Sequence, residues 1–284
     1  MHSLFVIYIK TEWLRAIQAA QKNKTAPAFL RSGLFYATAL FHRLDKRAAK
    51  LYNKFTMNEF TVKPIAYIRT DFKEKFGIPR QSGRAPSLTA EIVFTDEYRH
   101  PDALRGIEDF SHLWLIFDFS KAHREEFSPT VRPPRLGGNT RVGVFASRSP
   151  FRPNPIGLSC VKLLRVEERK NEGLVLIVSG ADLLDGTPVL DIKPYLPFAD
   201  CIINAKGGYA TEHEHDKLQV NFPESLLAVI AEEKRQGLIE CLADDPRPSY
   251  QDDAERIYGM RFGEYEIKFT VQNGVLTVTD VCKI

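Results

Sequence analysis

From Val62 onward the chain is a succession of short apolar runs separated by turn residues, and no long helical pattern alternates with them. This spacing is typical of an all-β sandwich or barrel, because a βαβ sheet needs a helix after each strand. We expect the run that begins at His112 to be fully buried, since it is the most apolar. A short helix is predicted over Tyr98–Phe110, with Pro101 in its first turn. The predicted strands are Val62–Arg69, Ala90–Phe94, His112–Phe119, Gly143–Ser147, Leu158–Val166 and Leu174–Ser179.

The last third of the chain mixes helical and strand patterns. Residues 203–216 are polar and contain two glycines, and we interpret them as a linker. Residues 217–284 are then a small α+β domain. Leu218–Phe222 has a strand pattern, and the apolar face over Pro223–Ala243 predicts a helix. Asn273-Gly274 is the strongest short signal for a β-hairpin, because both residues tolerate the positive φ of its turn.

Residues 1–56 differ from the rest of the chain in charge. They contain ten Lys or Arg and two acids, a charge of +8, which leaves −5 for the remainder of a chain whose net charge is +3. Their pattern is weakly helical. We interpret them as a basic, partly helical extension of a main domain over residues 57–202. One explanation for the extension is a translation start assigned upstream of Met57. The alternative is a basic tail that contacts RNA or a membrane surface.

The central stretch Val131–Ser159 is basic and stiff. It contains five arginines and no Asp or Glu, and its five prolines restrict the backbone. Arginine presents a planar fork that matches phosphate or carboxylate, so this pattern predicts a preorganised anion-binding wall. Val142–Ala146 is predicted to be a short buried strand within it. The alternative is a solvated basic loop whose arginines pair with acids elsewhere.

Two further polar segments could bind a ligand. Pro79-Arg80-Gln81 presents a cation and an amide on a proline-stiffened loop, although an ordinary exposed loop would have the same pattern. The segment Asp182–Asp191 is predicted to be turn-rich. Its first two acids, Asp182 and Asp185, could accept hydrogen bonds from hydroxyl or amino groups. The alternative for this second segment is a capped turn without a ligand.

Several classes of site are excluded by absent motifs. The four cysteines are far apart in sequence, which predicts reduced thiols and no zinc site. Neither the Rossmann glycine fingerprint nor a P-loop is present. No apolar run reaches the ~18 residues that a membrane-spanning helix needs.

From Met57 to the C-terminus, the sequence resembles the TrmO family, also called YaeB or TsaA-like. The segments that carry the resemblance are KEKFGIPRQ, ALRGIEDFSHLWLIFDF, TVRPPRLGGNTRVGVFASRSPFRPNPIGLS, DLLDGTPVLDIKPYLPFAD and DPRPSY. Members of that family transfer a methyl group from S-adenosylmethionine to N6 of threonylcarbamoyladenosine, at position 37 beside the tRNA anticodon. The resemblance implies a β-barrel main domain, a homodimer, and a cytoplasmic protein without membrane contact.

The resemblance also implies the site residues. Asp185 is the predicted catalytic residue, either as a proton acceptor or as a holder of the cofactor. The predicted contacts to S-adenosylmethionine are Pro79, Arg80, Gln81, Ser120, Lys121, Arg148, Ile156, Asp185, Gly186, Thr187 and Pro188. The arginines predicted to bind the phosphates of the tRNA anticodon loop are Arg132, Arg135, Arg141 and Arg152. No metal is predicted.

Two other functions fit the same residues. A non-catalytic RNA-binding β-barrel would bind tRNA without the cofactor. A β-barrel hydrolase or binding module for a small acidic metabolite would bind neither.

Overall fold

A computed structural model describes residues 61–284 except 134, 135, 137, 214, 215, 248–252 and 254. Val62–Ile284 form one compact unit. The predictions made for residues 1–56, and the position of Arg135, lie outside the described residues. Within the part of the chain that the structure describes, no helix is long and apolar enough to cross a lipid bilayer.

Six strands form the first sheet: β1 (Ala66–Arg69), β2 (Thr89–Phe94), β3 (His112–Asp118), β6 (Ile156–Arg169), β7 (Gly173–Ser179) and β8 (Pro188–Pro194). Their order in the sheet is β1-β2-β7-β6-β3-β8. All neighbouring pairs are antiparallel, and β8 also pairs with β1, so the sheet closes into a barrel. The prediction of a mainly β chain is confirmed.

The barrel core comes from alternate residues of these strands. In β3, Leu113, Leu115 and Phe117 are buried, while the residues between them are half-exposed. The expectation that this whole run is buried is therefore wrong, because only one face of an antiparallel strand points into the barrel. The apolar residues on its other face remain on the outer surface of the sheet.

The segment predicted as one helix, Tyr98–Phe110, is instead two 3-10 turns at Pro101–Leu104 and Ile107–Asp109. Gly106 separates them with a φ of 82°, a left-handed conformation that stops helical hydrogen bonding. Helical spacing of the apolar residues did not show this break.

The central basic stretch contains less strand than expected. Strands β4 (Thr130–Val131) and β5 (Val142–Gly143) pair over only two residues each. A 3-10 turn at Val144–Ala146 follows, and of Val142–Ala146 only Val144 is buried. The predicted buried strand is thus replaced by a short ribbon and a turn. In contrast, β8 lies partly in the segment that we predicted to be turn-rich.

The second sheet has the order β10-β11-β12-β9. Its strands are β9 (Gln219–Asn221), β10 (Tyr258–Phe262), β11 (Tyr265–Gln272) and β12 (Val275–Lys283). The predicted hairpin is confirmed, since Asn273 and Gly274 both have positive φ between β11 and β12.

Three α-helices lie among the described residues: α1 (Pro197–Asp200), α2 (Glu224–Leu227) and α3 (Glu232–Ala243). The single helix predicted over Pro223–Ala243 is therefore interrupted between α2 and α3. A further 3-10 turn, Gly208–His213, lies within the predicted linker.

The two sheets have separate cores, but loops of the barrel contribute to the second core. Phe72 and Leu88 are buried together with the inner residues of β10, β11 and β12. Leu88 also packs at Gly237 of α3, where a Cβ would lie 2.3 Å from Leu88 Cδ2. Glycine at this position lets the helix approach the barrel loop closely.

Candidate active site

A cavity of about 300 Å³ opens at one end of the barrel. The end of β3 and the loop after it form one wall, the loop at Pro150 forms another, and the β7–β8 loop forms a third. Its lining residues are Lys75, Ile78, Phe117, Asp118, Phe119, Ser120, Lys121, Ala122, Pro150, Phe151, Asp182, Leu183, Leu184 and Thr187.

Asp182 is a half-buried aspartate that lines this cavity. Its Oδ1 accepts a hydrogen bond of 2.5 Å from Ser159 Oγ on β6. Burial raises the pKa of Asp182, and it outweighs the hydrogen bonds from Ser159 and the backbone and the positive charge of Arg148, which lower that pKa. The carboxyl group therefore holds its proton to a higher pH than an exposed aspartate.

Two segments predicted to bind the cofactor meet beside Asp182. Arg148 Nη1 donates a hydrogen bond of 2.6 Å to Gln81 Oε1. Gln81 Nε2 in turn donates to the backbone oxygen of Arg80, at 2.6 Å. Pro79 is buried before them. This contact joins the loop after β1 to the central basic stretch.

The side chain of Arg80 points elsewhere. Its Nη2 donates to the backbone oxygens of Asp245 and Arg247, at 2.9 and 3.0 Å. Its backbone N–H donates to Asp244 Oδ2 at 3.1 Å. The guanidinium of Arg80 therefore connects the barrel loop to the segment after α3, and it is not one of the groups that line the cavity.

The other predicted cofactor contacts cluster around the cavity. Ser120, Lys121 and Thr187 line it. Gly186, with a φ of 73°, forms the turn that leads to Pro188 at the start of β8. Ile156 begins β6, where it is paired with Asp118 of the cavity wall.

Asp185 lies beside the cavity but is not among its lining residues. Its Oδ1 accepts a hydrogen bond of 2.9 Å from the backbone N–H of Thr70. Its Oδ2 accepts one of 2.7 Å from Lys73 Nζ. Both carboxylate oxygens thus bind other parts of the chain, and they hold the β7–β8 loop against the loop after β1. The catalytic role of Asp185 stays a prediction.

The arginines predicted to bind RNA have different surroundings. Arg132 and Arg141 are exposed. Arg152 is part-buried, and its Nη1 donates to three backbone oxygens of its own loop, with the shortest distance, 2.7 Å, to Ser147. The guanidinium of Arg152 therefore stabilises the loop conformation, whatever else it binds.

Sequence analysis missed several groups of the cavity. Phe117, Phe119 and Phe151 form aromatic walls. Phe117 and Phe119 lie in the run that was predicted to be buried, and no role was predicted for Phe151. Asp118 was missed as well, and its Oδ1 lies 2.7 Å from His123 Nε2. Asp118 is the last residue of the most apolar strand, and a polar residue at a strand end is a usable signal for a site. Among the described residues, no three His, Cys, Asp or Glu side chains cluster as a metal site.

Gly157 maintains the shape of the cavity wall. A Cβ at this position would lie 2.2 Å from Phe117 Cζ, so Gly157→Ala would push the Phe117 ring out of place. Overpacking of this kind costs about 1–3 kcal/mol, and we expect this loss in the free energy of unfolding measured with urea. Gly143→Ala is the matched control, since its Cβ would meet no atom within 4 Å. Equal stabilities of the two variants would contradict this packing.

Comparisons with known proteins agree with this architecture. The family model described as the tRNA-methyltransferase O N-terminal domain matches residues 67–201, and the TrmO C-terminal domain matches residues 215–284. The chain is 42% identical to the tRNA (adenine(37)-N6)-methyltransferase of Escherichia coli strain K12, over 76% of this chain and 94% of that protein.

Two relatives come from Pseudomonas aeruginosa. A putative S-adenosylmethionine-dependent methyltransferase, RcsF, is 43% identical over 73% of this chain and 90% of its own length. A crystal structure of TrmO matches with a TM-score of 0.67 at 35% sequence identity, and the match covers 81% of this chain and 100% of that one. The resemblance found in the sequence is confirmed, and the chain belongs to the tRNA-methyltransferase O family.

Proposed function

We propose that this protein is an S-adenosylmethionine-dependent methyltransferase that methylates N6 of threonylcarbamoyladenosine at position 37 of tRNA. The observation that carries the proposal is the 42% identity over nearly the whole length of the E. coli tRNA (adenine(37)-N6)-methyltransferase. The cavity beside Asp182 is the proposed site of reaction. A tRNA substrate would place the enzyme in the cytoplasm.

The residues of the cavity fit S-adenosylmethionine. The volume of the cavity, about 300 Å³, lies at the small end of the range for ligand pockets. Rings of Phe117, Phe119 and Phe151 can pack against adenine and are attractive to a nearby cation. Asp118 and Ser120 supply polar groups for the amino and hydroxyl groups of the cofactor. When bound, the cofactor supplies an electrophilic methyl group on a sulfonium.

The protein's own contribution is mainly orientation and exclusion of water. Holding two reactants in line can supply roughly 7–11 kcal/mol of the barrier. The Gln81–Arg148 hydrogen bond fixes two loops of the cavity relative to each other. We propose that Asp185 holds the third loop, because its carboxylate binds Thr70 and Lys73. The exposed side chains of Arg132 and Arg141 are the proposed contacts to anticodon-loop phosphates.

A direct test incubates the full chain with labelled S-adenosylmethionine and tRNA that carries threonylcarbamoyladenosine. Mass spectrometry of the nucleosides should show one added methyl group on that nucleoside and none in tRNA that lacks the modification. Binding of tRNA without cofactor binding or methyl transfer would favour the RNA-binding protein instead. Binding of neither would favour the module for a small acidic metabolite.

We further propose that two chains associate through the outer face of β3 and β6. Leu158 on β6 is 53% exposed, and Phe198 on α1 is 87% exposed. Trp114 of β3 pairs with Cys160 of β6, and its ring is 5.7 Å from that of Tyr195, which precedes α1. Large exposed apolar patches are typical of protein interfaces. A second copy of the chain would cover this face.

Leu158→Glu should therefore convert a dimer into a monomer, because a charge in an apolar interface is costly to desolvate. Sedimentation velocity of the full chain measures this directly. Val229→Glu is the matched control, since Val229 is similarly exposed but lies after α2. A wild-type protein that sediments as a monomer would rule out the proposed dimer, and a dimeric Leu158→Glu variant would rule out this face.

A further inference from the structure

Phe127 and Phe145 form an exposed aromatic pair outside the cavity. Their side chains are 56% and 74% exposed. The ring centroids are 6.5 Å apart with an angle of 26° between the planes, so the two rings stack. Phenylalanine is usually buried, and exposed stacked rings leave apolar faces in contact with water. Neither side chain belongs to a core cluster or to the cavity lining.

An arginine lies beside this pair and is held in place. Cζ of Arg152 is 5.9 Å from the centroid of the Phe145 ring. Its Nη1 is fixed by the backbone oxygens of Val144, Ser147 and Ser149. A cation is therefore kept near the ring without ordering a free side chain at the moment of binding. This lowers the entropic cost of binding a ligand.

The chain connects the aromatic pair to the cavity wall through two neighbouring residues. Arg152 directly follows Phe151, which lines the cavity. The Phe151 ring carries the guanidinium of Arg124 at 3.7 Å from its centroid. Two pairs of a ring and a guanidinium, Phe151 with Arg124 and Phe145 with Arg152, are thus joined by the bond between Phe151 and Arg152.

The charge of this region identifies the kind of partner. Residues 127–159 contain five arginines and no Asp or Glu. A second copy of this chain would bring the same positive charge against itself, whereas a polyanion would be attracted. Aromatic rings next to arginines stack on nucleic acid bases, since every base has a π-face. Single-stranded loops of RNA present unstacked bases to such surfaces.

We propose that Phe127, Phe145 and Arg152 form a stacking platform for a base of the RNA loop, next to the nucleotide that enters the cavity. This inference rests on the proposed function, because it takes the substrate to be tRNA. The platform binds a neighbouring base through its face, so it contributes affinity and orientation without reading sequence. Arg152 adds a cation–π contact.

The test measures binding of fluorescently labelled tRNA that carries threonylcarbamoyladenosine to the full chain by anisotropy, at fixed salt. Base–aromatic stacking contributes about 1–3 kcal/mol, so Phe145→Ala and Phe127→Ala should each weaken binding by roughly 5- to 150-fold. Phe145→Tyr should bind near the wild-type level, because it keeps the ring face. Ile257→Ala is the matched control, an exposed apolar residue before β10. The affinity for S-adenosylmethionine, measured by calorimetry, should stay unchanged in all four variants.

The outcomes separate the platform from the proposed function. Wild-type affinity for tRNA in both alanine variants would overturn the platform, while wild-type methylation would leave the function intact. If Phe145→Tyr weakened RNA binding as much as Phe145→Ala does, the platform would also be overturned, because the tyrosine variant keeps the face of the ring. A change of sedimentation mass without a change of tRNA affinity would assign the pair to contact between two copies. A wild-type chain that binds no tRNA would overturn both proposals.

Discussion

Replacing Asp182 by alanine is expected to lower the free energy of unfolding by about 2–4 kcal/mol. Ser159 is buried, and the variant would leave its Oγ, together with the backbone groups that bond to the carboxyl, without this partner. Each unsatisfied buried group costs about 1–3 kcal/mol. Urea unfolding measures the loss. Ser128→Ala is a control, because Ser128 donates a hydrogen bond to Thr130 at an exposed site. Equal stabilities would show that Asp182 does not hold the loops together.

The same site should also affect cofactor binding. Asp182 lines the cavity, and the loops of Gln81 and Arg148 meet beside it. We expect Asp182→Ala to weaken S-adenosylmethionine binding by at least ~10-fold, which corresponds to ~1.4 kcal/mol. Calorimetry at a temperature where the variant remains folded provides the measurement. If Asp182→Ala bound S-adenosylmethionine with wild-type affinity, Asp182 would not be part of the proposed cofactor site.

Asp182 further predicts a pH dependence of stability. Because burial raises its pKa above 3.8, the folded chain keeps the proton at pH values where the unfolded chain has released it. Stability contributed by this group therefore falls as the pH rises from the unfolded pKa to the raised folded pKa, and then stays constant. Asp182→Asn lacks this titration. Its stability relative to wild type should increase over that pH range, whereas a constant difference would contradict the raised pKa.

Asp185→Asn is expected to lower kcat/KM for threonylcarbamoylated tRNA about 10²-fold, within the range of positioned polar groups. The asparagine oxygen can still accept from Thr70 N–H, but the ion pair with Lys73 is lost. If Asp185 holds the loop, the dissociation constant of S-adenosylmethionine rises. If Asp185 takes up a proton, that constant stays near wild type and kcat falls with a changed pH profile.

Lys73→Met is the matched variant for Asp185. It removes the same ion pair but leaves the carboxylate, which still accepts from Thr70. A holding role predicts that the two variants weaken cofactor binding to a similar extent. A much larger loss of kcat/KM in Asp185→Asn than in Lys73→Met would assign the carboxylate to the reaction itself. Wild-type rates in Asp185→Asn would reduce the loop to an ordinary turn and remove Asp185 from the site.

The sequence alone was sufficient where the physical cause is local. Asn273-Gly274 predicted a hairpin because the two residues themselves tolerate the positive φ that the structure shows. The short apolar run Ala90–Phe94 also predicted a strand, and it lies in β2, which has one face in the barrel core. Long motifs such as the central arginine stretch identified the family, which the comparisons confirmed.

Tertiary structure decided the elements whose stability comes from their neighbours. The segment Asp182–Asp191 looked turn-rich because it contains Gly186 and Pro188. Its second part nevertheless forms the start of β8, because β1 and β3 pair with that strand on its two sides. The helix predicted over Tyr98–Phe110 is broken at Gly106, where the chain turns to enter β3. Apolar spacing cannot distinguish these outcomes, because it records burial and not the path of the backbone.

The predicted segments meet around the cavity, but only some of the predicted residues line it. The loops at Gln81, Ser120, Arg148 and Thr187 do surround one cavity or join at its side. Which guanidinium is available was decided only by folding: Arg80 binds the segment after α3, and Arg152 binds its own loop, while Arg148 reaches Gln81. A long charged side chain binds whatever partner the fold brings near, and that partner is up to 167 residues away in sequence for Arg80.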